Sequence, residues 1–315
     1  MLRYLVQRLM ATIPVMGVVA IIVFGLIHLS PTDPAAVIAG DYATPAHVAE
    51  IREQLQLDRP IPEQFLAWIG QVLSGDLGDS IFSERPVLQL IMARLEPTVS
   101  LALMTILVAV TIAVPIGVVA AWQARTLLDR ALMLLATLGI SVPAFWIGYL
   151  LIFSVALDLG WLPVQGYASL SEGLWPFLSH LILPSVTLGT AYAALIARIT
   201  RASMLEVLGQ DFIRTARAKG LPMRKVLIGH ALRAAAIPIV TVIGLGFALL
   251  IGGVVITESV FAIPGIGRLT VDSIQRKDIP VIQGVLLVFS AVYVIVNLLV
   301  DLLYTLLDPR IRYAA

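Results

Sequence analysis

Long apolar runs dominate this chain and alternate with shorter polar stretches. An α-helix needs about 20 apolar residues to cross the hydrocarbon core of a bilayer. The first run is too long for the apolar core of a secretory signal and has no cleavage site before Pro31, so we expect it to be retained. The pattern predicts an all-α polytopic membrane protein with six transmembrane helices. These helices are predicted over residues 9–29, 98–121, 131–157, 178–197, 236–256 and 281–305.

The composition supports a membrane protein. Hydrophobic residues make up 59% of the 315 residues and charged residues only 13%. An ordinary globular core cannot bury that much apolar surface. The chain has no cysteine, which excludes disulfide bonds and thiolate metal sites.

The loops differ in their content of lysine and arginine. An even number of spans places both termini on the same side of the membrane. On that side, basic residues outnumber those of the opposite side by roughly two to one. Positive charge collects in cytoplasmic loops, so we expect both termini to be cytoplasmic.

The region between the first two spans, residues 30–96, is then extracytoplasmic. Thr44 followed by proline is typical of a helix start, and apolar residues follow at three- and four-residue spacing. A second amphipathic helix is predicted over residues 62–73. We therefore expect a first helix over 1–29, a small helical insertion and a five-helix core over 97–315. A passive loop packed on the bundle is the alternative for the insertion.

The fourth predicted span carries small residues at strict four-residue intervals, namely Ser185, Gly189, Ala193 and Ala197. Lipid tails give helices no hydrophobic reason to associate, so close backbone approach along such a stripe is a main source of packing energy. The stripe predicts a buried helix, and lining of a solute path is its alternative use. Prolines in or beside spans mark possible kinks, at Pro115, Pro143 and Pro184.

The sequence contains no recognisable catalytic or metal-binding pattern. The histidines are far apart, at His28, His47, His180 and His230. No paired metal-ligand spacing or nucleophile elbow accompanies them, so we expect neither a metal nor a catalytic site. An intramembrane protease would need a nucleophile with its base, or two aspartates at mid-membrane, and neither is apparent.

The spans are almost free of the ionisable residues that ion-coupled transporters place inside the membrane. Asp301 falls near the cytoplasmic end of the last span, and Glu258 just past the outer end of the fifth. The energy source is therefore expected outside this chain. No phosphate-binding loop of the Gly-x-x-x-x-Gly-Lys-Ser/Thr type occurs, so an ATPase would have to be a separate subunit.

The sizeable polar loop on the inner side covers residues 198–235. Asp211 is expected to cap a short helix in which Ala216 and Ala218 permit close approach to a partner. Gly220 is expected to end that helix in a left-handed conformation, before Leu221 and a proline lead into a second helix over residues 223–230. This shape suits a groove on a partner protein, and contact with anionic lipid is the alternative.

The sequence of this loop resembles the coupling loop of ABC-importer permeases, whose signature is Glu-Ala-Ala, three residues, then Gly. Ala216 and Gly220 match the generic form. The variant around them is typical of the dipeptide, oligopeptide, glutathione and nickel branch, and it comprises Arg214, Thr215, Ala216, Arg217, Ala218, Lys219 and Gly220. Other landmarks of that branch run along the chain at residues 57–60, 75–78, 258–261, 264–269, 276–283 and 308–313. Thr32 and Ile279 depart from the usual Gly and Tyr of that branch.

The resemblance implies a type I ABC-importer permease bundle in the inner membrane that imports a small peptide or a related solute. It implies a second, similar permease subunit, two ATPase subunits that bind ATP and Mg, and an extracytoplasmic solute-binding protein. No cofactor is expected on this chain. It also implies an outer gate or binding-protein contact formed by Glu258, Phe261, Pro264 and Gly265.

The alternatives from other classes are a stand-alone secondary transporter or channel and an intramembrane enzyme. Copurification of this chain with an ATPase would support the importer over both of these alternatives. The solute stays open among peptides, glutathione, nickel chelates and opines.

Overall fold

A computed structural model of the chain describes residues 2–29, 35–36, 44–54 and 57–307. The N-terminal part contains α1 (Leu2–Leu29), α2 (Pro45–Gln54) and α3 (Ile61–Leu73). The central part contains α4 (Val87–Trp122), α5 (Leu127–Ser141), α6 (Ala144–Leu151), a first π-helix (Ile152–Asp158) and α7 (Leu174–Leu208). The remainder contains α8 (Asp211–Ala218), a second π-helix (Lys225–Ala231), α9 (Leu232–Ala234), α10 (Ala236–Val260), α11 (Ile266–Arg276) and α12 (Ile279–Leu307).

The structure confirms an all-α protein with helices suited to a membrane. In the described ranges, four helices are long and apolar enough to cross a bilayer: Leu9–His28, Val87–Trp122, Leu174–Leu208 and Ile279–Val300. Two bent pairs of helices raise the possible number of spans to six. Leu55, one of the apolar residues expected on the helix that follows Thr44, lies outside the described residues. So do Thr32 and the landmark at residues 308–313.

The third predicted span, residues 131–157, was expected to be one helix. In the structure it is broken into two helices. Its two halves meet at an angle of 102°. Val142 is extended, with φ of −88° and ψ of 128°, because the ring of Pro143 disfavours a helical conformation in the residue before it. Pro115 and Pro184 lie inside α4 and α7. The fifth span is preceded by a second bend of 61°, at Ala235.

The chain divides into two compact units. The first contains the described residues within Pro97–Gly267 and Ile295–Ala315. Within it α7 packs against α5, α6 and α10, and it carries the buried stripe of small residues described below. A main apolar core forms around α7, from side chains that include Leu101, Leu181, Leu188, Ile196, Leu250, Val254 and Phe261.

The second unit comprises Leu2–Glu96 and Arg268–Val294. The ring of Phe24 in α1 lies 5.4 Å from the ring of Phe65 and 5.6 Å from that of Trp68, both in α3. The Gln283 side chain donates a hydrogen bond of 3.0 Å to the carbonyl of Val23. Helices α2 and α3 occupy the two stretches in which helices were predicted between the first two spans.

Within this second unit, one carboxylate holds the turn that precedes α4. The buried Asp278 accepts a hydrogen bond of 2.6 Å from the Ser80 hydroxyl and one of 3.2 Å from the backbone N–H of Ile81. Asp278 also begins α12, because its carbonyl accepts a bond from the N–H of Ile282. The turn is therefore part of the folded unit.

Candidate functional site

Helix α8 has one apolar face and one polar face. Ile213 and Ala216 are buried and lie three residues apart, on the face of α8 that packs against the rest of the protein. The side chains on the opposite face are exposed, and they belong to Phe212, Arg214, Thr215, Arg217, Ala218 and Lys219. Ala216 is buried whereas Ala218 is exposed. Of the two alanines, only Ala216 therefore packs closely against other residues of this chain.

The expected cap at Asp211 is wrong by one residue. Gln210 is the residue that flanks the helix, with an extended backbone (φ −78°, ψ 153°), and its side chain makes no capping bond. Asp211 already has a helical position, and its carboxylate accepts a bond of 3.3 Å from Arg214 instead. Because both side chains are exposed, this ion pair adds little stability. The negative charge of Asp211 still complements the helix dipole.

Gly220 ends α8 in the predicted left-handed conformation, with φ of +74°. Its N–H donates to the carbonyl of Arg217 at 2.9 Å, and the N–H of Leu221 donates to that of Ala216 at 3.4 Å. This pair of bonds is the Schellman motif, which satisfies carbonyls that the helix end would leave unpaired. The half-buried Leu221 then packs against the same apolar cluster as Ala216.

That cluster, called here the inner cluster, attaches α8 to the membrane helices. Its buried members are Ala121, Met204, Val207, Ile213, Ala216, Val226, Leu227, Ala231, Ala235 and Ile239. They come from the ends of α4 and α7, from α8, from the second π-helix and from the start of α10. The helix predicted over 223–230 is a π-helix for most of its length, and this departure from α-helical spacing was not evident in the sequence.

An ion pair missed by the sequence analysis joins α5 to α7. The Nε of Arg201 lies 2.6 Å from one carboxylate oxygen of Asp129, and its Nη2 lies 2.7 Å from the other. Asp129 is 3% exposed and also accepts a bond of 2.9 Å from the N–H of Arg125. A Thr-x-x-Asp pattern at Thr126, which caps α5, was the available signal for this site.

The predicted stripe of small residues lies against α4. Ser185, Gly189 and Ala197 are buried and Ala193 is half-buried. A β-carbon at Gly189 would lie 3.5 Å from Thr105 Cγ2 and 3.8 Å from Ala109 Cβ. Farther along the same pair of helices, a β-carbon at Gly117 would lie only 2.7 Å from the carbonyl oxygen of Ala197. Gly189 therefore packs on α4, and Gly189, Ala193 and Ala197 also line a cavity of about 190 Å³.

Gly189→Leu is expected to destabilise the protein and to lower the amount of assembled complex in membranes. A leucine side chain extends beyond a β-carbon that already contacts Thr105 and Ala109, and overpacking against these residues costs about 1–3 kcal/mol. Gly189→Ala is the matched control, because its β-carbon makes only ordinary contacts. Thermal unfolding of both purified variants checks the prediction. A leucine variant that melts and assembles like the alanine variant would contradict the packing of Gly189 on α4.

Glu258 lies inside the last turn of α10, and not past its end as expected. It is fully buried. Its carboxylate accepts a bond of 2.6 Å from the Thr98 hydroxyl, whose oxygen in turn accepts a bond of 2.8 Å from the N–H of Ile266. A β-carbon at Gly265 would collide with the Glu258 carboxylate, so any larger residue there must displace that side chain. Glu258, Thr98 and Gly265 together hold the loop after α10.

Phe261 is 1% exposed and belongs to the main core. Its carbonyl accepts a bond of 2.9 Å from the N–H of Gly166. A side chain packed in this way offers no surface to a binding protein in this conformation, which corrects one of the two roles expected for Phe261. Pro264 is exposed beside it.

Metal-ligand clusters of three or more His, Asp or Glu residues do not occur among the described residues. The inner cluster joins α8 to the ends of α4 and α7 and to the start of α10.

Comparison with known proteins adds an independent line of evidence. Residues 113–313 match the family model of the binding-protein-dependent transport system inner membrane component, and residues 1–102 match the model of its N-terminal region. The Probable peptide ABC transporter permease protein y4tP of Sinorhizobium fredii is 55% identical over 310 residues, which cover 98% of this chain and 99% of the relative. The glutathione transport system permease protein GsiC of Salmonella typhi is 46% identical over 313 residues, covering 99% and 100%.

A solved structure shares the fold. The inward-facing MetNI methionine ABC transporter matches with a TM-score of 0.59 at 17% sequence identity, over 70% of this chain and 97% of the matched chain. The expected type I importer permease fold is therefore confirmed. From the family models and the full-length relatives, we conclude that this chain belongs to the inner-membrane permease components of binding-protein-dependent ABC importers.

Proposed function

We propose that this chain forms the translocation pathway of an importer for short peptides or a peptide-like solute such as glutathione. Members of its family are transport components and not enzymes, and ATP hydrolysis lies in separate subunits. The names of relatives that match over almost the whole chain support the class of solute. The observation that carries the mechanism is α8, with its polar face exposed and its apolar face buried in the inner cluster.

The proposed partners follow from this role. A second, homologous permease subunit completes the pathway, and two ATPase subunits bind ATP and Mg. An extracytoplasmic solute-binding protein delivers the solute, and the proposed receiving surface is the helical insertion at residues 30–96. The proposed domain order is the first helix over 1–29, this insertion, and a five-helix core over 97–315 that includes the coupling loop at 198–235.

In the proposed mechanism, an ATPase subunit binds the exposed face of α8. Closure of the two ATPases displaces α8, and the buried side chains of Ile213 and Ala216 transfer that displacement to the ends of α7 and α10. The coupling residues are Asp211, Arg214, Thr215, Ala216, Arg217, Ala218, Gly220 and Leu221. Glu258, Phe261, Pro264 and Gly265 belong to the proposed outer gate, whose loop is held by Thr98.

The test is reconstitution in lipid vesicles with the partner permease, the ATPases and the binding protein. We expect uptake of a labelled dipeptide or of labelled glutathione that requires ATP and the binding protein. We also expect the loaded binding protein to stimulate ATP hydrolysis. Uptake by this chain without the ATPase subunits would instead support a stand-alone transporter and contradict the proposal.

Both termini are proposed to be cytoplasmic, as the distribution of basic residues indicates. A reporter fused after Ala315, or placed in the loop at residues 198–235, is expected to report the cytoplasm. A reporter inserted near Gly40, which lies outside the described residues, is expected to report the outside. Alkaline phosphatase and green fluorescent protein fusions measure this directly. An external C-terminus would overturn the arrangement of six spans.

A further inference from the structure

A groove lies between the C-terminal part of α4 and the second π-helix. Its volume is about 400 Å³. Residues that line it include Val118, Trp122, Arg224, Leu227, Ile228 and Leu232. The walls present only apolar surface, so Arg224 contributes its methylene stem to the groove and leaves its guanidinium outside. All these residues belong to the same compact unit.

The groove is placed at the boundary between hydrocarbon and water. Helix α4 has 36 residues and is therefore about 54 Å long, which exceeds the roughly 30 Å of the hydrocarbon core. The lining residues of α4 occupy its C-terminal end, and Trp122 is the last residue of the helix. Trp122 is 49% exposed and Ile228 is 54% exposed. Indole rings favour the membrane interface, so an exposed tryptophan at this end of α4 is consistent with that position.

The rim of the groove is positively charged. No Asp or Glu occurs between Asp211 and Glu258, whereas Arg224, which lines the groove, and Lys225 next to it are exposed. Within the described ranges, Arg224 takes part in neither of the ion pairs, which join Asp129 to Arg201 and Asp211 to Arg214. An apolar groove with a basic rim at a membrane interface matches a molecule with an apolar tail and a negatively charged head.

We propose that this groove binds an anionic phospholipid. One acyl chain lies along Val118, Leu227 and Ile228, and the phosphate is held by the guanidinium of Arg224, with Lys225 next to it. Basic pockets between membrane helices bind anionic headgroups through this combination of charge and apolar contact. A protein segment would find the same apolar walls, but the uncompensated positive rim favours the phosphate. The site is separate from the exposed face of α8 and goes beyond the proposed transport role.

The test uses the assembled transporter in nanodiscs and reads the fluorescence of Trp122. Bromine atoms on an acyl chain quench the fluorescence of a nearby indole. The contribution of Trp122 to the total fluorescence is the difference between the wild type and Trp122→Phe. We expect brominated phosphatidylglycerol to quench this contribution at about fivefold lower mole fraction than brominated phosphatidylcholine. That factor corresponds to about 1 kcal/mol for one basic residue near the lipid surface.

The preference for the anionic lipid is expected to vanish in Arg224→Gln and to persist in Lys219→Gln, which removes a charge outside the groove. Val118→Phe, which fills the groove, should weaken quenching by both lipids. If Arg224→Gln does not assemble, salt replaces the variant, because a high salt concentration should abolish the preference in the wild type. Equal quenching by the two lipids overturns the proposal. Absence of quenching by either lipid overturns it as well, since a protein segment then covers the groove.

Discussion

Gly220→Val is expected to uncouple transport from ATP hydrolysis while the protein still reaches the membrane. Gly220 has φ of +74°, a region that β-branched residues disfavour, and the cost is about 1–3 kcal/mol. A β-carbon at this position meets nothing within 4 Å, so the effect comes from the backbone alone. Loss of the left-handed turn breaks the bonds to Arg217 and Ala216 and redirects the chain at Leu221. Uptake should fall, and the loaded binding protein should no longer stimulate ATP hydrolysis.

Gly220→Asn is the matched control, because asparagine tolerates the left-handed conformation far better than valine does. It should keep most of the stimulated ATPase activity and uptake. Both activities are measured in reconstituted vesicles at equal amounts of assembled complex. Wild-type values for the valine variant would remove Gly220 from the coupling site, and the role proposed for α8 would lose its main support.

Arg201→Met is expected to lower the stability of the membrane domain by about 3 kcal/mol. The change leaves the carboxylate of Asp129 buried with the N–H of Arg125 as its remaining described partner, and an uncompensated buried charge of this kind costs about 3–5 kcal/mol. Arg198→Met is the matched control, because Arg198 is exposed on the same helix. Thermal unfolding of the purified complexes should show a clear loss for Arg201→Met and almost none for Arg198→Met.

The double variant Asp129→Leu with Arg201→Met separates the loss of attraction from the burial of a lone charge. Apolar replacement of both partners is often neutral, so the double variant should recover much of the stability that the single variant loses. A single variant as stable as the wild type would mean that Asp129 finds water or another partner once Arg201 is gone. The ion pair between α5 and α7 would then contribute nothing to the fold.

Sequence reasoning succeeded where the signal is local. Length and apolar content of a run depend only on neighbouring residues, so the helices near most predicted spans were found. The end of α8 was found for the same reason, since a glycine after a helical stretch is the usual start of a left-handed turn. The stripe from Ser185 to Ala197 indicated a packed helix face, and the structure places Gly189 against α4.

Several of the errors come from contacts between distant parts of the chain. Asp129 and Arg201 are separated by 72 residues, and Thr98 and Glu258 by 160 residues, so no local pattern links them. The proline at 143 marked a possible kink, but its angle of 102° depends on how α6 packs against α7 and α10. Phe261 was expected at an outer gate or binding-protein contact, and only the three-dimensional core shows that its side chain is buried.

The two faces of α8 have a consequence for the proposed pairing of the permease with an ATPase subunit. Arg214, Thr215, Arg217 and Ala218 are exposed and contribute nothing to the inner cluster, whereas Ile213 and Ala216 are part of it. If α8 docks on the ATPase as proposed, mutations on the exposed face are expected to alter recognition of the ATPase and to leave the inner cluster intact. The proposal therefore predicts that a few surface substitutions in this two-turn helix are enough to retarget the permease to another ATPase.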